Sequence, residues 1–366
     1  MPGWLVLVSR AGKVAYLQSY DPLASDGPPV GPGSLFRVHS MTKPVTAVAA
    51  LICYEQGLLD LRAPVSQFIA SFADLRVLTG GTASRPETAP AGKPLLVWHL
   101  LTHTGGLMYG WTGGPVAGAL FRRAERAVPA GTDLAGWCDA WATVPLLFEP
   151  GQAWNYSVAS DVLGRVVEVA SGLPLDQFFA ARIFVPLGMQ ETAFQVGVGE
   201  RARLAVPYVF NPRASALVRD SQGEREGTQR PAFLSGGAGL VSSAADYLRF
   251  AEMLRQGGTF QGRRLLSEQT VAYMTQDHMP PQASLHLGPI PAPLWRGYGL
   301  GVGTRPAPIP QGPSARAFGW SGGANTYFVV DPGYELTFML LTQLTPFKAQ
   351  PFDSMLSELV YQAITA

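Results

Sequence analysis

Ser40 and Lys43 stand one helical turn apart in the run Ser40-Met41-Thr42-Lys43, which places a hydroxyl beside an amine, a nucleophile next to its base. Val45, Val48, Ala49 and Ile52 follow with helical spacing, and the pattern stops at Gly57. The spacing predicts a helix whose N-terminal edge carries Ser40. Pro44 fits the first turn, where its missing N–H and its ring cost least. At such an edge the unpaired backbone N–H groups and the positive end of the helix dipole favour a developing alkoxide on Ser40 and disfavour an ammonium on Lys43. The pattern is short: the lysines are Lys13, Lys43, Lys93 and Lys348, and chance would put a serine three residues before a lysine in roughly one such chain in four. Its weight comes from the helix start and from two motifs downstream.

The first of these is Tyr156-Ser157, which follows the turn Glu149-Pro150-Gly151 and precedes a predicted helix beginning near Val158. A phenol at a loop–helix junction often faces a cleft and can relay a proton between a serine, a lysine and a leaving group, although a tyrosine is commonly a packing residue. The second is Trp320-Ser321-Gly322-Gly323, between two predicted strands. Consecutive glycines there let a ligand approach the backbone, and an edge N–H can bind a carbonyl oxygen as part of an oxyanion hole; the plain alternative is a tight turn. Gly319 to Gly323 also spells the G-x-S-x-G of α/β-hydrolases. That motif needs a helix and a later histidine, whereas a strand-like run from Thr326 to Val330 follows and the last histidine is His286.

The elements that must position these groups are legible in outline. Residues 3 to 8 and 14 to 20 read as a hairpin, and 316 to 320, 325 to 331 and 335 to 343 as further strands before a last helix at 351 to 365. Strands at both ends with helices between predict an α+β fold, with one antiparallel sheet assembled from the two chain ends and flanked by helices. Helical patterns are expected at 95 to 101, 116 to 127, 132 to 142, 158 to 171, 174 to 183, 243 to 256 and 266 to 275. We expect a sheet part at 1–62 and 235–366 and an inserted, mostly helical part at 63–234. The proline-rich stretch from Met279 to Pro293 is expected either to cover the site or to be a solvated loop.

With 366 residues, 47% hydrophobic and 14% charged, the chain can bury a large interior. A net charge of +1 and the lack of long like-charge runs give no reason to expect nucleic acid or an acidic membrane surface as a partner. Cys53 and Cys138 fall on predicted helices among apolar neighbours and are read as buried thiols. His99 and His103 stand four apart but lack the glutamate of a zinc helix, so no metal and no cofactor is expected. The start of the chain has no export pattern and no apolar run is long enough to span a membrane, which makes a cytoplasmic protein the expectation.

In the order and separation of its motifs the chain resembles the serine β-lactamase and penicillin-binding-protein superfamily, particularly its class C-like branch and the family VIII carboxylesterases. The resemblance rests on Ser-Met-Thr-Lys at 40 to 43, Leu-Leu-Thr-His-Thr-Gly-Gly at 100 to 106, Glu-Pro-Gly at 149 to 151, Tyr-Ser at 156 to 157, Pro-Leu-Gly-Met at 186 to 189 and Trp-Ser-Gly-Gly at 320 to 323. It implies that Ser40 is the nucleophile, that Lys43 and Tyr156 move protons, and that the N–H groups of Ser40 and Gly323 form the oxyanion hole. It also implies a structural part for His103, and a helix ahead of the first strand in related proteins leads us to expect a preceding segment.

Two departures bear on the activity. β-Lactamases of this type carry Tyr-x-Asn and a lysine at the start of the strand motif; Val158 and Trp320 stand at those places here. Valine makes no hydrogen bond and an indole has no positive charge, so the site is expected to take small neutral acyl esters, as in the esterase branch. Substrate-lining roles are expected for Trp320 and Val158, and for two or three of Tyr109, Trp111, Trp154, Trp295 and Tyr298. An acyltransferase, a β-lactamase, peptidase or amidase, and a silent binding module on the same scaffold remain alternatives. The sequence does not define the oligomeric state.

Overall fold

The computed structural model describes residues 2–23, 27–281, 283–287, 295–348 and 351–365. Part of the proline-rich stretch expected either to cover the site or to be a solvated loop, residues 282 and 288–293, lies outside them. Trp4–Arg10 (β1) and Lys13–Tyr20 (β2) form the expected hairpin. Its two-residue turn places Ala11 at φ +49° and Gly12 at φ +75°, the doubly left-handed geometry that matches strand twist.

β1 lies between β2 and the strand Leu336–Thr342 in a seven-stranded antiparallel sheet. From one edge the order is Gly297–Tyr298, Gly303–Thr304, Phe318–Ser321, Tyr327–Asp331, Leu336–Thr342, β1 and β2. Both chain ends thus build one sheet, and the fold is α+β as expected. Tyr327–Asp331 and Leu336–Thr342 are buried throughout because helices cover both faces. On one face Tyr247 of the helix Ala244–Arg255 meets Phe328 edge-on at 5.0 Å. On the other, Tyr361 of the last helix, Phe352–Thr365, meets Phe338 at 5.8 Å and donates its hydroxyl proton to Asp331 at 2.8 Å. The edge strand β2 leaves Val14, Tyr16 and Tyr20 exposed.

The helix after Ser40 is Thr42–Glu55 (α1), and Gly57 follows it at φ +69°. Every residue from Thr42 to Cys53 is buried. The apolar stripe read from the sequence is therefore one side of a helix enclosed on all sides, which Ala47, Ala49 and Ala50 permit by letting neighbours approach closely. Val97–Thr102 (α2), Gly114–Ala127 (α3), Leu134–Ala142 (α4) and Ala159–Ser171 (α5) follow, and α5 packs on α1. The other expected helices are also present, at Leu175–Phe179 with its continuation to Leu187, Ala244–Arg255 and Glu268–Met274.

Pairings that were not expected include the hairpins Arg76–Gly81 with Pro86–Pro90, Tyr208–Asn211 with Ala216–Arg219 and Thr259–Phe260 with Arg263–Arg264, the sheet strands Gly297–Tyr298 and Gly303–Thr304, the parallel pairing of Leu344–Thr345 with Tyr208–Val209, and the short ladder of Leu35–Arg37 with Val241–Ser243. Cys53 and Cys138 are free and buried. Among the described residues no helix is long and apolar enough to cross a membrane.

Candidate active site

Ser40 is positioned by the short ladder just before it. Leu35–Arg37 pairs antiparallel with Val241–Ser243, and the N–H of Val38 continues the pairing onto the carbonyl of Leu240 at 3.0 Å. His39 then turns the chain with φ +45° into a single 3₁₀ turn, His39–Met41, that runs into α1. A left-handed φ at a residue other than glycine persists only where its surroundings impose it; here Tyr247 donates to the carbonyl of Met41 at 2.8 Å and fixes the far side of the turn. Burial, followed by the charges of Arg37 and Lys43, pushes the His39 imidazole down to about 4. It is therefore neutral beside the serine near neutral pH.

Lys43 enters the core with its side chain and converges on three oxygens. Its Nζ lies 3.3 Å from Ser40 Oγ, 3.2 Å from the hydroxyl of Tyr109 and 2.8 Å from the carbonyl of Gly237. Only 1% of the residue is exposed. Burial, and after it the negative charge of Asp161, raises the Tyr109 phenol well above its ordinary range, so Tyr109 meets the amine as a neutral hydroxyl.

Tyr156 lies just ahead of α5, where its backbone is held from three directions. Its N–H donates to the carbonyl of His286 at 3.3 Å, and its own carbonyl accepts from Thr112 at 2.9 Å and from the Asn155 side-chain amide at 3.3 Å. The rings of His103, Tyr109, Trp111, Trp154 and Trp320 enclose the phenol at centroid distances of 5.1 to 6.2 Å. Lys43 Nζ sits 4.6 Å over the face of its ring, and the indole N–H of Trp320 donates to its hydroxyl oxygen at 3.3 Å. His103 caps α2 at φ +54° and its Nδ1 is 3.0 Å from Ser157 Oγ, so it braces the tyrosine loop. Burial, then the Lys43 charge, holds that imidazole well below its usual range.

The strand Phe318–Ser321 brings the glycine pair alongside Ser40. A Cβ on Gly322 would stand 2.4 Å from the carbonyl of Val38, two residues before the serine, so glycine is what lets the two segments touch. At Gly323 a Cβ would meet nothing within 4 Å, so that backbone is open. Ser40 and Gly323 share the lining of a cavity of about 100 Å³ whose walls include Trp111, Leu287, Trp295, Trp320 and Phe347. No cationic side chain is among its described lining residues.

The sequence-based assignments divide on this geometry. Ser40, Tyr156, Gly323, Trp295 and Trp320 line the cavity, with Lys43 bonded to Ser40 beneath it. Val158, Trp154 and Tyr109 do not line it. Val158 is the residue before α5 and is buried in the core, 2% exposed. Trp154 lies behind Tyr156, its ring stacked on the phenol at 6.2 Å. Tyr109 is drawn inward by Lys43, while its neighbour Trp111, stacked on it at 5.5 Å, takes the place in the wall. Ser321 ends a strand that turns through Asn325 at φ +60° into the next strand, with no helix behind it, so the nucleophile-elbow geometry is absent.

Two groups were missed. Asp161 is a carboxylate among the apolar residues of α5, and Ser235-Gly236-Gly237 is a loop between α1 and α5. The available signals were a lone acid inside the run Val158 to Leu163 and the dense glycines of Ser235 to Gly239.

A family model described as Beta-lactamase matches residues 1–362. An uncharacterised protein of Mycobacterium tuberculosis is 36% identical over 330 residues, 87% of this chain and 80% of its own. Esterase EstB of Burkholderia gladioli is 34% identical over 279 residues, 70% of this chain and 67% of its own. The solved structure of EstCE1, described as a hydrolase with promiscuous acyltransferase activity, superposes with a TM-score of 0.80 at 27% identity, covering 98% of this chain and 93% of that one. The chain belongs to the β-lactamase family, within its group of serine hydrolases and acyltransferases.

Proposed function

We propose that the protein is a carboxylesterase that cleaves small neutral acyl esters through an acyl-enzyme on Ser40. The observation that carries this reading is the contact of Ser40 with Lys43 at 3.3 Å beneath an apolar cavity without a described cation. A β-lactam substrate brings a carboxylate, and burying it in such a cavity without a partner would be costly. The cavity, at about 100 Å³, is smaller than an engineered apolar cavity of roughly 150 Å³ that takes up benzene. An acyl group of a few carbons is the fitting occupant.

To take the Ser40 proton Lys43 must act as a neutral amine, whose two hydrogens can stay on Tyr109 and Gly237 while its lone pair accepts from the hydroxyl of Ser40. Ser40 attacks the ester carbonyl as its proton passes to Lys43, and the N–H groups of Ser40 and Gly323 receive the oxyanion. As the tetrahedral intermediate collapses, Tyr156 gives its proton to the departing alcohol. The negative charge left on its oxygen is held by the Trp320 N–H and by the new ammonium over its ring. In deacylation, water gives a proton to Tyr156 and its oxygen to the carbonyl, and Ser40 leaves with the proton stored on Lys43. Trp320 thus supplies a neutral donor to the phenol oxygen and an apolar wall at once.

An acyltransferase is the second reading, favoured by the described activity of EstCE1. Parallel assays with acetyl to octanoyl esters, simple amides, short peptides and a chromogenic cephalosporin, each with and without an alcohol acceptor, separate the readings. The expected result is hydrolysis concentrated on short neutral esters. Preferential cephalosporin cleavage would reject the carboxylesterase reading, and acyl transfer exceeding hydrolysis would replace it with the second.

A further inference from the structure

Asp161 is not accounted for by the steps above, yet it is a carboxylic acid buried to 3% exposure in the helix that follows Tyr156. Its Oδ1 accepts from the hydroxyl of Ser235 at 2.6 Å and from the N–H of Gly237 at 2.9 Å. The carbonyl of that same Gly237 receives Lys43 Nζ at 2.8 Å. One residue therefore connects the acid of α5 to the amine of α1.

The loop has little freedom to be elsewhere. A Cβ on Gly237 would stand 2.6 Å from Asp161 Oδ2, and one on Gly236 would stand 2.6 Å from the carbonyl of Ser160. Thr46, one turn after Lys43, donates to the carbonyl of Gly236 at 2.6 Å. Asp161 and Thr46 thus grip the glycine pair from the two helices, and glycines alone let the grip close.

We propose that Asp161 is a positioning residue for Lys43, holding through Gly237 the carbonyl that receives the amine and supplying the negative charge that the amine's positive form requires inside the core. The inference rests on the assignment of Lys43 as the base for Ser40. Burial drives the Asp161 carboxyl upward, and Lys43 is the largest influence opposing it. The titratable groups facing Lys43 are Tyr109, Tyr156, His39 and His103. Those that feel Asp161 besides Lys43 are Tyr109, Glu125 and Cys138. Burial disfavours charge on all three and on both histidines.

Asp161→Asn keeps an oxygen for Ser235 and Gly237 and removes the charge. Without the nearby negative charge Lys43 gives up its proton more readily, so the acid limb of kcat/KM for a short ester should move down by about one pH unit. The plateau should fall about tenfold, because the weaker base takes the Ser40 proton less well. In ¹³C-lysine spectra the Lys43 titration should shift the same way, while Lys13, Lys93 and Lys348 stay in place. A merely structural role lowers the plateau and leaves the limb and the resonance where they were, and that result overturns the proposal. Should Asp161→Asn fail to fold, the reciprocal change decides: Lys43→Met should move the titration of a buried aspartate upward in ¹³C-aspartate spectra. Unchanged aspartate titrations would overturn the proposal equally. The spectra need no turnover, so they test the Asp161–Lys43 link even if Ser40→Ala retains activity and the assignment of the base fails.

Discussion

The floor of the site and its walls are built on opposite principles. Beneath Ser40, Lys43 lies in the stretch of α1 buried from Thr42 to Cys53 and is fixed by a polar contact to Ser40 and by two more, to Tyr109 and Gly237, from elements far away in the chain. Above Ser40, the cavity is shaped by aromatic and aliphatic side chains, one of which, Trp111, is 41% exposed. A buried polar network tolerates no partial satisfaction, whereas an apolar wall can be reshaped at modest cost. Chemistry is thus tied to the core, and selectivity to a surface that can vary independently of it.

Substitutions on the two sides should differ accordingly. Lys43→Met should cost about 10³-fold in kcat/KM for a short ester, within the range for losing a positioned base. A loss below tenfold in steady-state assays would mean that the floor is not the seat of the chemistry. Trp111→Ala should leave the acetyl ester turning over and raise the kcat/KM ratio of octanoyl to acetyl ester by at least about tenfold, the scale of a few methylenes gaining room. An unchanged ratio would remove Trp111 from the determinants of acyl length.

Trp320→Phe keeps the wall and deletes the N–H to Tyr156, so kcat should fall about three- to tenfold, the worth of one hydrogen bond, with KM little changed. If KM alone moved, Trp320 would be a wall residue only. The smallest effect on activity is expected at Val158, which is buried in the core beside the site. Val158→Asn should create no cephalosporin hydrolysis and should lower the urea midpoint, because a buried amide without designed partners costs about 1–3 kcal/mol. New β-lactamase activity in that variant would show that residue 158 reaches the ester after all.

The contrast between floor and walls also explains what could be read before the structure. Ser40, Lys43 and Tyr156 were legible because each sits at a helix start marked by local pattern, and five of the seven sheet strands because their apolar runs end in turn residues such as Asp331-Pro332-Gly333, whereas the two-residue strands Gly297–Tyr298 and Gly303–Thr304 were too short to show. Tyr109 and Gly237 were not, since their contacts with Lys43 span 66 and 194 residues and leave no periodicity. Asp161 was hidden for the same reason, its two partners lying 74 and 76 residues away. Val158 was assigned to the pocket because it stands where the Tyr-x-Asn motif of the resembling family has its asparagine, but the start of α5 turns Tyr156 to the cavity and Val158, two residues on, to the core. The short ladder ahead of Ser40, Leu35–Arg37 with Val241–Ser243, was missed because three-residue strands are too brief to show alternation.

The central claim is that Ser40 carries the acyl group, and its most direct test is covalent. Intact-mass analysis after treatment with a fluorophosphonate probe should show a single adduct, and peptide mapping should place it on Ser40. Ser40→Ala should abolish the adduct together with ester hydrolysis, while Ser321→Ala should keep both. An adduct that survives Ser40→Ala, or one that maps to Ser321, would contradict the account.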